Sequence, residues 1–271
     1  MNKQIISLFA CFIIIQNSYS QSDVYKNSFS ISVGPSIPVG DFASTDFSKE
    51  TSGYAKTGET INLSFQHKIH KNIGIVAMLY AQRNGLNTKA FEHQFGETAF
   101  PFYYNGGGPN HYSNWSFNKK AWLVESILIG ISDEFYFNQD RKTSLIVKAL
   151  AGVANLQLPK LYGESKADTS YATITESSSS AISFSYSISA GIKHELNKRL
   201  FLQLDVDYFG TSKAIFKNVD ETIIATNGGL VIPNTYSFSN SKLPIQELSG
   251  RSSNKLTAAS LNINLRVGVK F

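Results

Sequence analysis

The chain has 271 residues, 13% of them aromatic, with 25 Lys and Arg against 20 Asp and Glu and a net charge of +5. Past the N-terminal apolar run, no uninterrupted apolar stretch approaches the about 20 residues a membrane helix needs, so a helical membrane protein is excluded. The Lys and Arg are scattered, and ordinary surface charge accounts for the modest basicity better than a nucleic-acid partner does.

At the N-terminus, Met1 to Gln4 carries one Lys, Ile5 to Ile15 is apolar, and Ser18-Tyr19-Ser20 supplies the small residues that a signal peptidase reads. The expectation is an export signal over residues 1–20, cleaved before Gln21, followed by one domain over 21–271. Its loss removes Lys3, leaving 24 basic against 20 acidic residues. It also removes Cys11, the sole cysteine, and with it disulfide and thiolate chemistry.

Eight segments then alternate apolar and polar residues with the period of two that puts one set on each face of a strand. Phe29 to Val39 sets Phe29, Ile31, Val33, Ile37 and Val39 on one side. Ile61 to Ile69 alternates Ile61, Leu63, Phe65 and Ile69 with Asn62, Ser64, Gln66 and Lys68. Ile73 to Asn84 turns Ile75, Ala77, Leu79 and Ala81 outward and Val76, Met78, Tyr80 and Gln82 inward. Ala121 to Phe137 is the least regular. Ser144 to Leu156 has Leu145, Val147, Ala149 and Val153 out and Lys148 in. The sixth segment alternates Ile182, Phe184, Tyr186, Ile188 and Ile192 with serines and Lys193, and the seventh sets Leu202, Leu204, Val206 and Tyr208 against Gln203, Asp205 and Asp207. The last, Leu261 to Phe271, alternates without a break and closes on an aromatic residue.

The connections are sorted by length. His70-Lys71-Asn72, Asn138 to Lys142 and Asn197-Lys198-Arg199 are tight turns, whereas the segments near 40–60, 85–120, 157–180 and 211–256 are long. Short periplasmic turns alternating with long external loops characterise transmembrane barrels, and an even strand count leaves both termini in the periplasm. A soluble barrel would turn its apolar face inward and has no reason to sort its loops. The expected fold is therefore all-β, an eight-stranded antiparallel up-and-down transmembrane β-barrel. Backbone polar groups cannot stay unpaired in hydrocarbon, so the sheet must close on itself.

The final strand ending in Phe271 resembles the closing strand of bacterial outer-membrane β-barrels. Gly34-Pro35-Ser36-Ile37-Pro38-Val39-Gly40-Asp41-Phe42 is similar to the first strand and rim of small barrels of the PorT-like and OmpA/OmpX-like kind. That resemblance implies an outer-membrane location and, for most such proteins, no enzymatic activity and no cofactor. The implied partners are outer-membrane lipid and lipopolysaccharide, with an extracellular or envelope protein meeting the long loops of a monomeric barrel.

Lys193, Asp205, Asp207, Arg266 and Lys270 are all expected inside, Asp205 and Arg266 at similar height on neighbouring strands. They would form a mixed-charge network that plugs a narrow lumen or, in the alternative, lines a small-solute path. The second long loop is rich in aromatic residues, with Phe100, Phe102, Tyr103, Tyr104, Tyr112 and Trp115 around Gly106-Gly107-Gly108-Pro109. They form a partner surface, a lid over the barrel mouth or part of an interfacial girdle. The glycines lack the Lys and Ser/Thr of a phosphate loop. In the fourth loop, Thr222 to Ile232 reads as a hairpin around Asn227-Gly228-Gly229, too short to span and interrupted at Pro233. One catalytic constellation stands out: His111-Tyr112-Ser113-Asn114 followed by Glu125 resembles the triad of outer-membrane lipid A deacylases. His111 would take the proton of Ser113 while Glu125 orients the imidazole. The Gly and Pro elements that follow that family's His-x-Ser-Asn are absent, and Glu125 falls on the outward parity. No paired His or Cys spacing suggests a metal site.

Overall fold

The computed structural model describes residues 25–46, 49, 51–94, 115–137, 142–167, 170–217, 219–227, 230–238 and 255–271. The expected export signal, residues 1–20, and most of the aromatic second loop lie outside them.

In chain order the elements are β1 (Asn27–Pro38), a single 3-10 turn (Gly40–Phe42), β2 (Gly58–Lys68), β3 (Ile73–Gly85), α1 (Thr88–Gln94), β4 (Trp115–Phe117), β5 (Ala121–Tyr136) and β6 (Thr143–Leu158). They continue with β7 (Leu161–Ala167), β8 (Ser170–Glu176), β9 (Ser179–Glu195), β10 (Leu200–Thr211), β11 (Ala214–Ile215), β12 (Val219–Asn227), β13 (Leu230–Phe238), β14 (Lys255–Leu256) and β15 (Ala259–Lys270). Eight of them close into one barrel in the order β1-β15-β10-β9-β6-β5-β3-β2, every pair antiparallel. Each barrel strand is therefore a sequence neighbour of the next, and β15 closes on β1, with Phe29 opposite Val269 and Ile37 opposite Leu261.

The three tight turns and both barrel ends share one rim. Asn27 N–H donates to the Phe271 carbonyl at 3.0 Å, Lys270 N–H to Arg199 at 2.7 Å, Glu195 N–H to Lys142 at 2.8 Å and Glu134 N–H to Asn72 at 3.0 Å. The long connections all leave from the other rim.

The pleat decides what meets lipid. Ile31, Ile61, Leu79, Ile127, Ile129, Ile131, Ile182, Ile188, Leu204 and Leu265 all project outward and are 44–80% exposed, while their chain neighbours, the half-buried Gly130 aside, are buried in the lumen. A soluble barrel would reverse this arrangement, because exposing that much contiguous apolar wall to water is costly. The outward face is a membrane-spanning belt.

The long connections are not simple loops. β4, β7, β8, β12 and β13, drawn from three different connections, pair into a second five-stranded sheet in the order β13-β12-β8-β7-β4 beyond the open rim. The expected hairpin is present and longer than the sequence suggested: Asn227 pairs with Leu230 and Val219 with Phe238. Pro233 does not interrupt it. β13 is the edge of the sheet, where a residue without an N–H is tolerated, and Pro233 sits in register opposite Ile224.

Candidate functional site

The barrel interior is filled in layers. Nearest the short-turn rim, the Glu134 carboxylate on β5 accepts Lys193 Nζ from β9 at 2.8 Å, Lys68 Nζ from β2 at 2.5 Å and Ser144 Oγ at 2.8 Å. Glu195 joins Lys270 at 2.5 Å and reaches Lys193 at 3.8 Å. The next layer centres on Asp205, which is wholly buried. It accepts Arg266 Nε at 2.8 Å, Lys148 Nζ at 3.2 Å and Gln203 Nε2 at 2.5 Å. Arg266 faces Gln203 in register and Asp205 faces Asn264, so the Arg266 to Asp205 bond runs diagonally between β15 and β10. Asp207 accepts the Asn264 amide. Gly191 lies opposite Asp205, and a Cβ there would collide with the Asp205 carboxylate, so a glycine leaves room for it.

Above the charges the lumen is crossed by a ring pair. Tyr80 on β3 and Phe209 on β10 stack with centroids 4.2 Å apart and planes 10° from parallel. β3 and β10 stand on opposite sides of the eight-membered ring of strands, so this contact spans the bore. Tyr80 donates to Gln82 and accepts Asn262 Nδ2 at 3.2 Å, and Gln82 accepts Ser260 Oγ at 2.8 Å. On the β5 and β6 side Leu128, Leu150 and Val124 are buried around Ser126, which faces Tyr80 in register and whose hydroxyl meets that of Ser185 at 2.7 Å.

The open mouth is closed by an aromatic cluster. Phe42, Tyr54, Phe91, Phe117, Trp122 and Phe216 are buried there, with Phe91 edge-on to Phe117 at 4.8 Å and to Tyr54 at 5.4 Å. Tyr54 adopts φ 52°, a left-handed conformation uncommon for a bulky side chain. Its N–H donates to Ser44 at 3.0 Å and its carbonyl accepts Asn87 N–H at 2.6 Å, which holds the first connection against the second. Trp122 Nε1 donates to the Gly53 carbonyl at 2.8 Å. Asp41 fastens the first connection on itself by accepting Lys49 at 2.5 Å and Thr51 Oγ1 at 2.5 Å. These bonds, Lys49 first, hold the Asp41 carboxyl below its usual range.

The sequence-derived candidates are distributed as follows. Lys193, Asp205, Asp207, Arg266 and Lys270 point into the lumen, but they form two groups: Lys193 and Lys270 belong with the glutamates of the lower layer, and Asp205 and Arg266 with the upper layer. Glu134 was missed. It follows Asp133 in the least regular strand, and two successive acids leave parity undecided. Lys68 was read on the polar face of its strand, but its partner was not visible. The Tyr80 and Phe209 stack was missed too, because contacts across a barrel leave no sequence spacing. Phe100, Phe102, Tyr103, Tyr104, Tyr112, His111 and Ser113 lie outside the described residues. Trp115 is 6% exposed and stacks on Phe117 at 5.9 Å, so it belongs to the buried mouth and not to an open face. Glu125 is exposed on the outer wall, where Gln157 Nε2 approaches at 3.4 Å.

No family model matches the chain, and no curated protein matches it. Among solved structures it is similar to Neisserial surface protein A, with 10% identity and a TM-score of 0.42 over 93% of this chain and 100% of that one. It is also similar to Ail, the attachment invasion locus protein of Yersinia pestis, with 13% identity and a TM-score of 0.39 over 92% and 100%. The outer membrane protein OprG from Pseudomonas aeruginosa aligns with 10% identity and a TM-score of 0.37 over 93% and 99%.

Proposed function

We propose that this chain is a non-enzymatic protein of a Gram-negative-type outer membrane, in which a plugged barrel holds an external sheet out for recognition of an extracellular or envelope partner. The observation that carries this reading is the convergence of three long connections into one sheet, β13-β12-β8-β7-β4, above a barrel whose interior is filled. A lumen braced by ion pairs and crossed by the Tyr80 and Phe209 stack supports an anchoring role over a small-solute path. The rigid wall below and the outward β13 edge above suit backbone pairing with an incoming segment, with Pro233 limiting how far such pairing extends.

The test removes the β12 and β13 hairpin, residues 219–238, and compares cell-surface crosslinking of the trimmed and whole proteins. Loss of the crosslinked partner with a correctly folded barrel supports the reading. Undiminished crosslinking refutes it. Two further measurements address the alternatives. A Ser113→Ala change that leaves lipid A acylation unaltered removes the hydrolase formed by His111, Ser113 and Glu125. Conductance steps from the folded whole protein in planar bilayers would replace the anchor with a pore.

A further inference from the structure

Among the described residues the lumen holds more cations than carboxylates. Lys68, Lys148, Lys193, Arg266 and Lys270 stand against Glu134, Glu195, Asp205 and Asp207, a surplus of one positive charge. A charge kept from water is costly unless a counter-charge meets it. Every one of these cations reaches a carboxylate, but Arg266 has a donor left over. It is 2% exposed, its Nε donates to Asp205 at 2.8 Å and its Nη1 to Ser30 Oγ at 3.1 Å, while Nη2 meets no acceptor among the described residues.

The side chains beside that guanidinium are donors as well. Ser30 on β1 faces Ser64 on β2 in register, and Ser32, one inward position further up β1, faces Arg266 itself. All three serines are buried. Ser30 Oγ accepts Arg266 and Ser32 Oγ accepts Asn62 Nδ2 at 3.2 Å, which leaves each hydroxyl its own hydrogen to donate. Neither those hydrogens nor that of Ser64 finds an acceptor among the described residues. Asp205 cannot serve, because it takes Arg266 on one oxygen and Lys148 and Gln203 on the other. Two unused buried acceptors, Asn262 Oδ1 and Asn264 Oδ1, stand higher on β15. Asn264 Oδ1 lies against Gly34, where a Cβ would come within 2.9 Å of it. Gly34 is four residues up β1 from Ser30, about 13 Å of strand. The spot by Arg266 therefore offers hydrogens and positive charge together. That suits a species that only accepts and carries negative charge, whereas a water would have two hydrogens of its own to place.

We propose that the lumen binds one small monovalent anion of the chloride class, held by Arg266 Nη2 and the hydroxyls of Ser30, Ser32 and Ser64. The anion brings the lumen charges to neutrality and ties β15 to β1 and β2, across the seam where the barrel closes. Lys68 and Lys270, half-buried toward the short-turn rim, draw it in from that side. The site requires no role for the external sheet and no opening of the mouth.

The test refolds the whole mature chain into phosphatidylcholine vesicles and follows urea unfolding at fixed ionic strength, with chloride or bromide replacing gluconate, an anion too large for the site. The midpoint should rise with halide and then level off, the folding equilibrium shifting about tenfold once halide stands about tenfold above its dissociation constant. Ser64→Ala removes a donor without breaking a described side-chain bond. It should keep the heat-shifted gel mobility of a folded barrel and need about tenfold more halide for the same shift. Ser187→Ala, on β9 at the other side of the ring of strands, should respond as the parent does. Bromide anomalous diffraction from crystals of the parent should show a peak beside Arg266 Nη2, between Ser30 and Ser64. A midpoint that is the same in gluconate and halide, or that drifts without levelling off, overturns the proposal. So does a Ser64→Ala protein with the parent's response, or a bromide map without that peak.

Discussion

Removing Asp205 strands two cations at once, since its carboxylate accepts Arg266 on one oxygen and Lys148 on the other. Lys148→Met leaves Asp205 its bond to Arg266 and withdraws a buried ammonium. Asp205→Ala should therefore cost about 3–5 kcal/mol, and Lys148→Met less than about 2 kcal/mol. Urea unfolding in lipid vesicles measures both, and equal losses would mean that the three groups do not share one centre. Asp41 gives a second case, outside the membrane, where pH is the variable. Its carboxyl is lowered in the folded chain by the bonds from Lys49 and Thr51. A lowered folded value means that the stabilisation is complete above the ordinary carboxylate range and is lost as pH falls through the folded value. The group is accessible to water, so the effect is local and confined to the first connection. Trp122, bonded to the Gly53 carbonyl in that connection, reports it. Its fluorescence should change on acidification below the usual carboxylate range and should lack that step in Asp41→Asn.

The strands work as parity devices, and their legibility follows from that. An unbroken alternation such as Leu261 to Phe271 fixes which side faces lipid, because one face of every barrel strand is apolar through the middle of the wall. Ile182 to Lys193 is as regular, and all eight barrel strands can be found this way. Of the external sheet, only the β12 and β13 hairpin could. β4 has three residues, and β7 and β8 mix charged, hydroxyl and small residues without a dominant period. Their pairing is decided between connections far apart in the chain: Phe117 lies opposite Gly163, and Ile174 lies opposite Ile223. Register of that kind is a tertiary property. The parity argument is also quantitative. Ile129, in the middle of the belt on β5, should lose about 2–4 kcal/mol on replacement by Arg, whereas the same change at Leu261, near the upper border, should lose about 0–1 kcal/mol. Folding equilibria in vesicles would show this difference, and equal losses at the two heights would place the hydrocarbon elsewhere on the wall.

At the scale of the molecule, closure and decoration are separable. The barrel closes only when β15 lies between β10 and β1, bonded to both, and without it each of those strands presents an unpaired edge to lipid. The fourth connection, by contrast, begins and ends at adjacent points. Gly210 pairs with Ala259, and Thr211 N–H donates to the Ala258 carbonyl at 2.9 Å, so β10 can be joined to β15 by a tight hairpin turn. Replacing residues 213–257 with such a turn should keep a folded, heat-modifiable barrel. It would lose stability through the β12 to β8 pairing and through the buried mouth residues it removes, chiefly Phe216 and Leu256, at about 2–5 kcal/mol each. Ending the chain before Ala259 should abolish folding in vesicles altogether, although it removes fewer residues. Heat-shifted mobility compares the two. A short-turn barrel that fails to fold would mean that the external sheet is needed to close the cylinder, and a truncated chain that folds would mean that seven strands can close without the eighth.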